Sequence, residues 1–217
     1  MILSWDIGIY NLSYCLLEKN TLSNKQSTIN DTSINDTSIN DTSIGDTSIG
    51  DKNIYKFDGY CIKDWGIINI ADKINIKKNK MGVYENIPDI LDTYTDFLNC
   101  KYVLIENQPC MKNPTMKSIQ MILYSYFLIK GLKNNESNIT NVKFISPMNK
   151  LKVYDGPKIT LKVKSKYTIR KKSAVIHSQY FLQNNNKYLN LFNSNKKKDD
   201  LADSFLQGLN YIKKNKL

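Results

Sequence analysis

KYVLIENQP at residues 101–109, followed by TMKSIQMILYSYFLIKGL at 115–132 and VKFIS at 142–146, sets the architecture of this chain. The first stretch is a short apolar run that Pro109 stops just beyond Glu106, as expected of a buried strand. In the second, Met116, Ile119, Ile122, Leu123, Tyr126, Phe127 and Ile129 recur at helical spacing. This helix is apolar nearly all round, so it is also a candidate for part of a dimer surface. The third is again strand-like. Alternation of strands and helices from residue 101 onward predicts an α/β fold, and Glu106 at a strand end points its carboxylate into a cleft.

Outward from this centre, MILSWDIGIYNLSYCLL at residues 1–17 reads as a hairpin, with Asp6 near the end of its first strand and Gly8 at the tight turn. Residues 57–70 suit a further strand. Ile87, Ile90, Leu91, Tyr94, Phe97 and Leu98 predict a helix over 83–98. A basic stretch from Lys150 to Lys172 runs as loop and then enters a helix that ends near Leu182. KKKDDLADSFLQGLNYIKK at 196–214 is the last helix, with Asp199 or Asp200 as its cap and Leu201, Phe205, Leu209 and Ile212 as its buried stripe. Asp200 and Asp203, three apart, share one face of it. Helix capping and dipole compensation alone would also explain acids in a first turn.

Residues 27–51 are five tandem pentapeptides, STIND, TSIND, TSIND, TSIGD and TSIGD. One Ile in five buries too little area to offset the entropy of ordering the rest, so residues 20–56 read as a flexible insertion in an otherwise single domain over 1–217. A pentapeptide coil would need more stacked turns than this length supplies.

The net charge of +11 is unevenly spread. Residues 1–100 carry 9 Lys+Arg against 14 Asp+Glu, whereas residues 101–217 carry 22 against 6. The basic half fits a polyanionic partner, nucleic acid above all, bound through its phosphates. Solubility combined with a Lys- and Asn-rich coding bias is the alternative. Tyr154 and Tyr167, set among the lysines, fit a surface for distorted or unpaired DNA. Cys15, Cys61, Cys100 and Cys110 form no CxxC pair and no zinc spacing, which predicts reduced, mostly buried thiols. No long apolar run and no cleavable leader are evident, so the chain reads as soluble, unsecreted and membrane-free, and the sequons at Asn30, Asn35 and Asn40 carry no meaning. No second glycine-rich phosphate loop supports an actin-like ATPase, and no nucleotide cofactor is expected.

Taken together, MILSWDIGIYNLSYCLLE, LIENQP with MKSIQMILYSYF, and KKKDDLADSFLQGL resemble the poxvirus Holliday junction resolvases, of the RuvC-type branch of the RNase H-like superfamily. The resemblance covers most of the chain outside residues 20–56. It implies a mixed five-stranded sheet flanked by helices and a homodimeric, Mg2+-dependent endonuclease that nicks two opposed strands of a four-way DNA junction, working in the host cytoplasm if viral. It places metal ligands at Asp6, Glu106, Asp200 and Asp203, leaves out Asp199, and implies a catalytic lysine ahead of the last acids, for which Lys171 and Lys172 are the candidates. Two Mg2+ ions are expected, with Mn2+ equally compatible with oxygen ligands. His177, among apolar residues, is expected to pack rather than to catalyse. The competing readings are another RNase H-like nuclease, acting on RNA/DNA hybrids or branched DNA, and a non-catalytic DNA-binding protein.

Overall fold

The computed structural model describes residues 1–20, 57, 59–71, 78–111, 113–163 and 165–217. The insertion expected over residues 20–56, with its repeats at 27–51, lies outside the described residues apart from Asn20. Five strands, β1 (Ile2–Ile7), β2 (Asn11–Lys19), β3 (Tyr60–Asn69), β4 (Tyr102–Glu106) and β5 (Asn141–Ile145), form one sheet in the order β3-β2-β1-β4-β5. The β1–β2 and β2–β3 pairs are antiparallel, whereas β1–β4 and β4–β5 are parallel. The helices are α1 (Lys80–Asp92), α2 (Pro114–Tyr126), α3 (Lys166–Leu182), α4 (Asn186–Ser194) and α5 (Lys198–Asn215).

Strand parity divides the core in two. Leu3, Trp5 and Ile7 of β1, with Val103 and Ile105 of β4, pack with α1 and α2 through Ile87, Leu91, Ile119 and Leu123. Ile2 and Leu104 turn the other way and pack with Phe181, Phe192, Phe205 and Leu209 of α3, α4 and α5. Even-numbered Asp6 and Glu106 therefore belong to the α5 side of the sheet.

The hairpin over residues 1–20 forms as expected, but Gly8 is needed for space rather than for dihedral freedom. The Gly8 N–H donates to Asn11 O at 3.0 Å, and a Cβ at Gly8 would stand 2.6 Å from that oxygen. At the other end of the hairpin, Asn20 N–H donates to Gly59 O at 2.6 Å, so the chain leaves after β2 and returns to β3 at adjacent points.

The helix expected over 83–98 is two pieces. α1 ends at Asp92, where Thr93 Oγ1 donates to Ile90 O at 2.7 Å, and a 3-10 turn follows over Thr95–Asn99. Apolar spacing runs through the break because both pieces pack on one layer, with Tyr94 and Phe97 stacked 4.8 Å apart. α2 likewise runs into a wider π turn over Phe127–Leu132. α4 was not anticipated. Its Tyr188 and Phe192 are buried against Trp65, which stacks on Phe192 at 5.4 Å.

α5 departs from expectation at its start. Its N-cap is Lys197, without a side-chain cap, and Asp199 and Asp200 fall inside the first turn. The expected stripe of Leu201, Phe205, Leu209 and Ile212 is buried, but so are Ala202, Ser204, Leu206, Gln207, Gly208 and Tyr211. The helix presses close to the sheet: a Cβ on Gly208 would lie 2.7 Å from Leu17 Cδ1 and 3.4 Å from Ser4 Cβ. All four cysteines are free; Cys15 and Cys100 are buried, Cys61 is half-buried and Cys110 is exposed. Among the described residues, no helix is long and apolar enough to cross a membrane.

Candidate active site

Parallel pairing of β1 with β4, with Trp5 opposite Ile105, brings Asp6 and Glu106 side by side at the C-terminal ends of adjacent strands. Glu106 is held there from two directions. Asn107 N–H donates to Ile145 O at 2.8 Å, extending the β4–β5 ladder, and Gln108 N–H donates to Gln120 Oε1 at 2.7 Å, tying the strand exit to α2.

The third carboxylate comes from α5. Gln207, one turn after Asp203, donates from Nε2 to Ser4 Oγ at 3.1 Å and to Trp5 O at 3.2 Å. The hydroxyls of Ser204 and Ser13 are 3.0 Å apart. These polar contacts fix the rotation and height of α5 over β1 and β2. With the helix so placed, Asp6, Glu106 and Asp203 offer carboxylate oxygens that all lie within 4.8 Å of one another.

Lys150 enters the same space from the 3-10 turn Lys150–Val153 that follows β5. Its ammonium group stands 2.6 Å from Asp203 Oδ2 and donates to Glu106 Oε2 at 3.3 Å, and its side chain is only 10% exposed. The mutual effects are large. Burial, the Glu106 charge next to it and the Asp203 charge hold Asp6 well above the usual aspartate range, against the opposing pull of Lys150. Burial pushes Asp203 up to about 6, with Lys150 working against it. Burial alone would lower Lys150, but Glu106, Asp203 and Asp6 overcome it and raise the ammonium to about 12.

Asp200 is not part of the trio of converging carboxylates. It lies one turn earlier on α5, where burial and Asp199 raise its carboxyl while Lys197, Lys171 and Lys150 oppose them. Lys150 and Lys171 each act on both Asp200 and Asp203, so the two acids border the same pair of cations. Asp199 pairs instead with Lys171. A cleft of about 170 Å³ opens over these groups, walled by Glu106, Asp203, Lys150, Lys171, Arg170 and Tyr167. Lys172 does not line it; it faces a neighbouring groove.

The sequence reading missed Lys150 as the residue inside the cluster. The strand-end argument applied to Glu106 finds Lys150 only once the pairing of β5 with β4 is known. β5 pairs with β4 so that Ile145 lies opposite Glu106, and the first lysine after β5 must pass that carboxylate. Of the two tyrosines read as a DNA surface, Tyr154 stacks on His177 at 3.9 Å and donates to Pro157 O at 3.0 Å, a packing role. Tyr167 is 66% exposed at the cleft wall. His177 is buried, and burial lowers its pKa, in keeping with a packing residue.

The donor set fits hard divalent cations. Three carboxylates at ligand spacing face one ammonium, an oxygen-rich donor set of the kind such ions take.

The sheet order and the helices on both its faces give an α/β fold with a mixed five-stranded sheet. The solved structures that the chain is similar to share that fold. Fowlpox virus resolvase in complex with substrate Holliday junction DNA superposes with a TM-score of 0.55 at 19% identity, covering 99% of this chain and 97% of that one. The yeast mitochondrial Holliday junction resolvase gives 0.56 at 16% identity, over 97% and 78%. Thermus thermophilus RuvC with its Holliday junction substrate gives 0.50 at 8% identity, over 99% and 94%. In sequence, an uncharacterized protein of Acanthamoeba polyphaga mimivirus is 38% identical over 133 residues, 57% of this chain and 32% of the relative, so the chain spans about a third of that protein's length. No family model matches the sequence.

Proposed function

We propose that this chain is a divalent-metal-dependent endonuclease that resolves four-way DNA junctions by paired symmetric nicks, acting as a homodimer so that two clefts meet two opposed strands. The observation that carries the reading is the convergence of Asp6, Glu106 and Asp203 within 4.8 Å, from two strand ends and a helix far apart in sequence. The resolvase fold and the excess of basic residues after residue 100 support the substrate class.

Asp6, Glu106 and Asp203 would hold the metal, and Asp200, one turn earlier on α5, is the fourth acid that could contribute. Mg2+ is the expected ion, and Mn2+ suits the same oxygens. When bound, such ions make the attacking water more acidic and balance charge on the leaving 3′ oxygen. Lys150 is the catalytic lysine of this reading: it is preorganised by Glu106 and Asp203 and aimed at the space where the phosphate gains charge. Lys171, tethered to Asp199, flanks that space as a second cation. No histidine base is required.

The test is incubation of purified protein on labelled four-way, Y-shaped and linear DNAs and on an RNA/DNA hybrid, with Mg2+ or with EDTA. Paired nicks in the four-way junction with Mg2+ alone are expected, leaving 5′ phosphates. Equal cutting of the hybrid or the linear duplex would overturn junction selectivity, and binding without nicking would identify a non-catalytic DNA-binding protein.

A further inference from the structure

Beside the cleft runs a second depression that the nuclease chemistry does not use. It lies between α3 and the turn joining α4 to α5 and encloses about 410 Å³. Its floor is apolar, made by Val175 and Ile176 on one face of α3. Its rim carries Lys172 from α3, Lys196 from the α4–α5 turn and Lys198 from the first position of α5. Among the described residues none of these three forms a salt bridge. The acid of the rim, Asp199, is already paired with Lys171. Lys171 lines the cleft as well as the groove, so the two depressions meet across the Lys171–Asp199 pair.

An apolar floor with uncompensated cations at its edge matches a ligand that has an apolar body and regularly spaced negative charges. A DNA strand has that composition: deoxyribose rings and base edges can cover Val175 and Ile176 while successive phosphates face the lysines. We infer that this groove carries the cleaved DNA strand as it leaves the cleft, with Lys172, Lys196 and Lys198 on its phosphates. The inference rests on the nuclease reading above and assigns that enzyme a strand-guiding site outside its metal centre. Phosphate contacts of this kind fix register without reading sequence.

The experiment measures binding of a labelled four-way junction in EDTA, across a range of salt, for the wild type and for a Lys172→Ala, Lys196→Ala, Lys198→Ala triple variant. A control triple variant, Lys80→Ala, Lys101→Ala, Lys133→Ala, removes the same charge elsewhere. The groove variant is expected to bind about tenfold or more weakly near 0.15 M salt, and the slope of log affinity against log salt should fall by about 2 to 3. The control should stay within about twofold in affinity, and each single groove substitution should give an intermediate loss. An unchanged slope, or an equal loss in the control, overturns the inference. Because binding is read without metal, absence of nicking would count against the nuclease reading alone.

Discussion

The two faces of the sheet are built from the same strands to opposite ends. On the α1–α2 side, Leu3, Trp5, Ile7, Val103 and Ile105 meet aromatic and aliphatic partners, Trp5 touching Phe97 edge-on at 5.2 Å and Phe127 at 6.1 Å. On the α5 side, the neighbouring residues of the same strands include Ser4, Asp6, Ser13 and Glu106, met by Asp203, Ser204 and Gln207. One face supplies cohesion that tolerates little polarity. The other spends part of its burial on groups that must be held in place, so polar contacts rather than shape alone decide where α5 sits.

The sharpest way to break the comparison is to neutralise the polar face. Asp6→Asn, Glu106→Gln and Asp203→Asn are each expected to cut the Mg2+-dependent nicking rate by about 10³-fold or more, about 4 kcal/mol of barrier, while junction affinity in EDTA stays within a few-fold. Lys150→Met should cost about 10²-fold by the same assay. Wild-type nicking in any of these variants removes that residue from the mechanism.

On the apolar face, Leu123→Ala should lower stability by about 3 kcal/mol in denaturant unfolding. The nicking rate per folded molecule should be unchanged, and a matching loss of both would show that the faces are not separable. Gly208→Ala acts between the two. Its new methyl group would crowd Leu17 and Ser4, so about 2 kcal/mol of destabilisation is expected, with a rate loss of about tenfold as α5 carries Asp203 outward.

The smallest effect is on pH. Asp203 at about 6 and Asp6 well above its usual range bind protons more tightly in the folded protein than in the unfolded chain. The contribution of Asp203 to stability is therefore complete below about pH 4 and is lost as pH rises through about 6, and that of Asp6 declines with rising pH in the same sense. Melting of the metal-free protein should show this fall, and the stabilisation by Mg2+ should grow over the same interval, because the cation competes with protons for the same oxygens. At subsaturating Mg2+, nicking should rise about tenfold per pH unit below about 6, or 1.4 kcal/mol per unit. Asp203→Asn should flatten the stability profile.

Much of this arrangement was legible because it is local. Alternation in β1 and β4 and the stop at Pro109 put Asp6 and Glu106 at strand ends, and helical spacing put Asp203 on a face of α5. What stayed hidden depended on pairing partners. Which of Asp200 and Asp203 meets Asp6 and Glu106 depends on how Gln207 and Ser204 seat α5 on β1 and β2, which spacing alone does not encode. Choosing Lys150 over Lys171 and Lys172 required knowing that β5 lies beside β4. α4 escapes the sequence pattern because a nine-residue, Asn-rich segment takes its stability from packing Tyr188 and Phe192 on Trp65, not from its own propensity.

The closure of β2 against β3 at Asn20 and Gly59 lies at the edge of the sheet away from Asp6 and Glu106. Polymerase slippage in the pentapeptide tract would therefore change the number of residues between two points, Asn20 and Gly59, that stay put. Copies of the tract could be gained or lost while Asp6 and Glu106, on the interior strands β1 and β4, stay under separate selection.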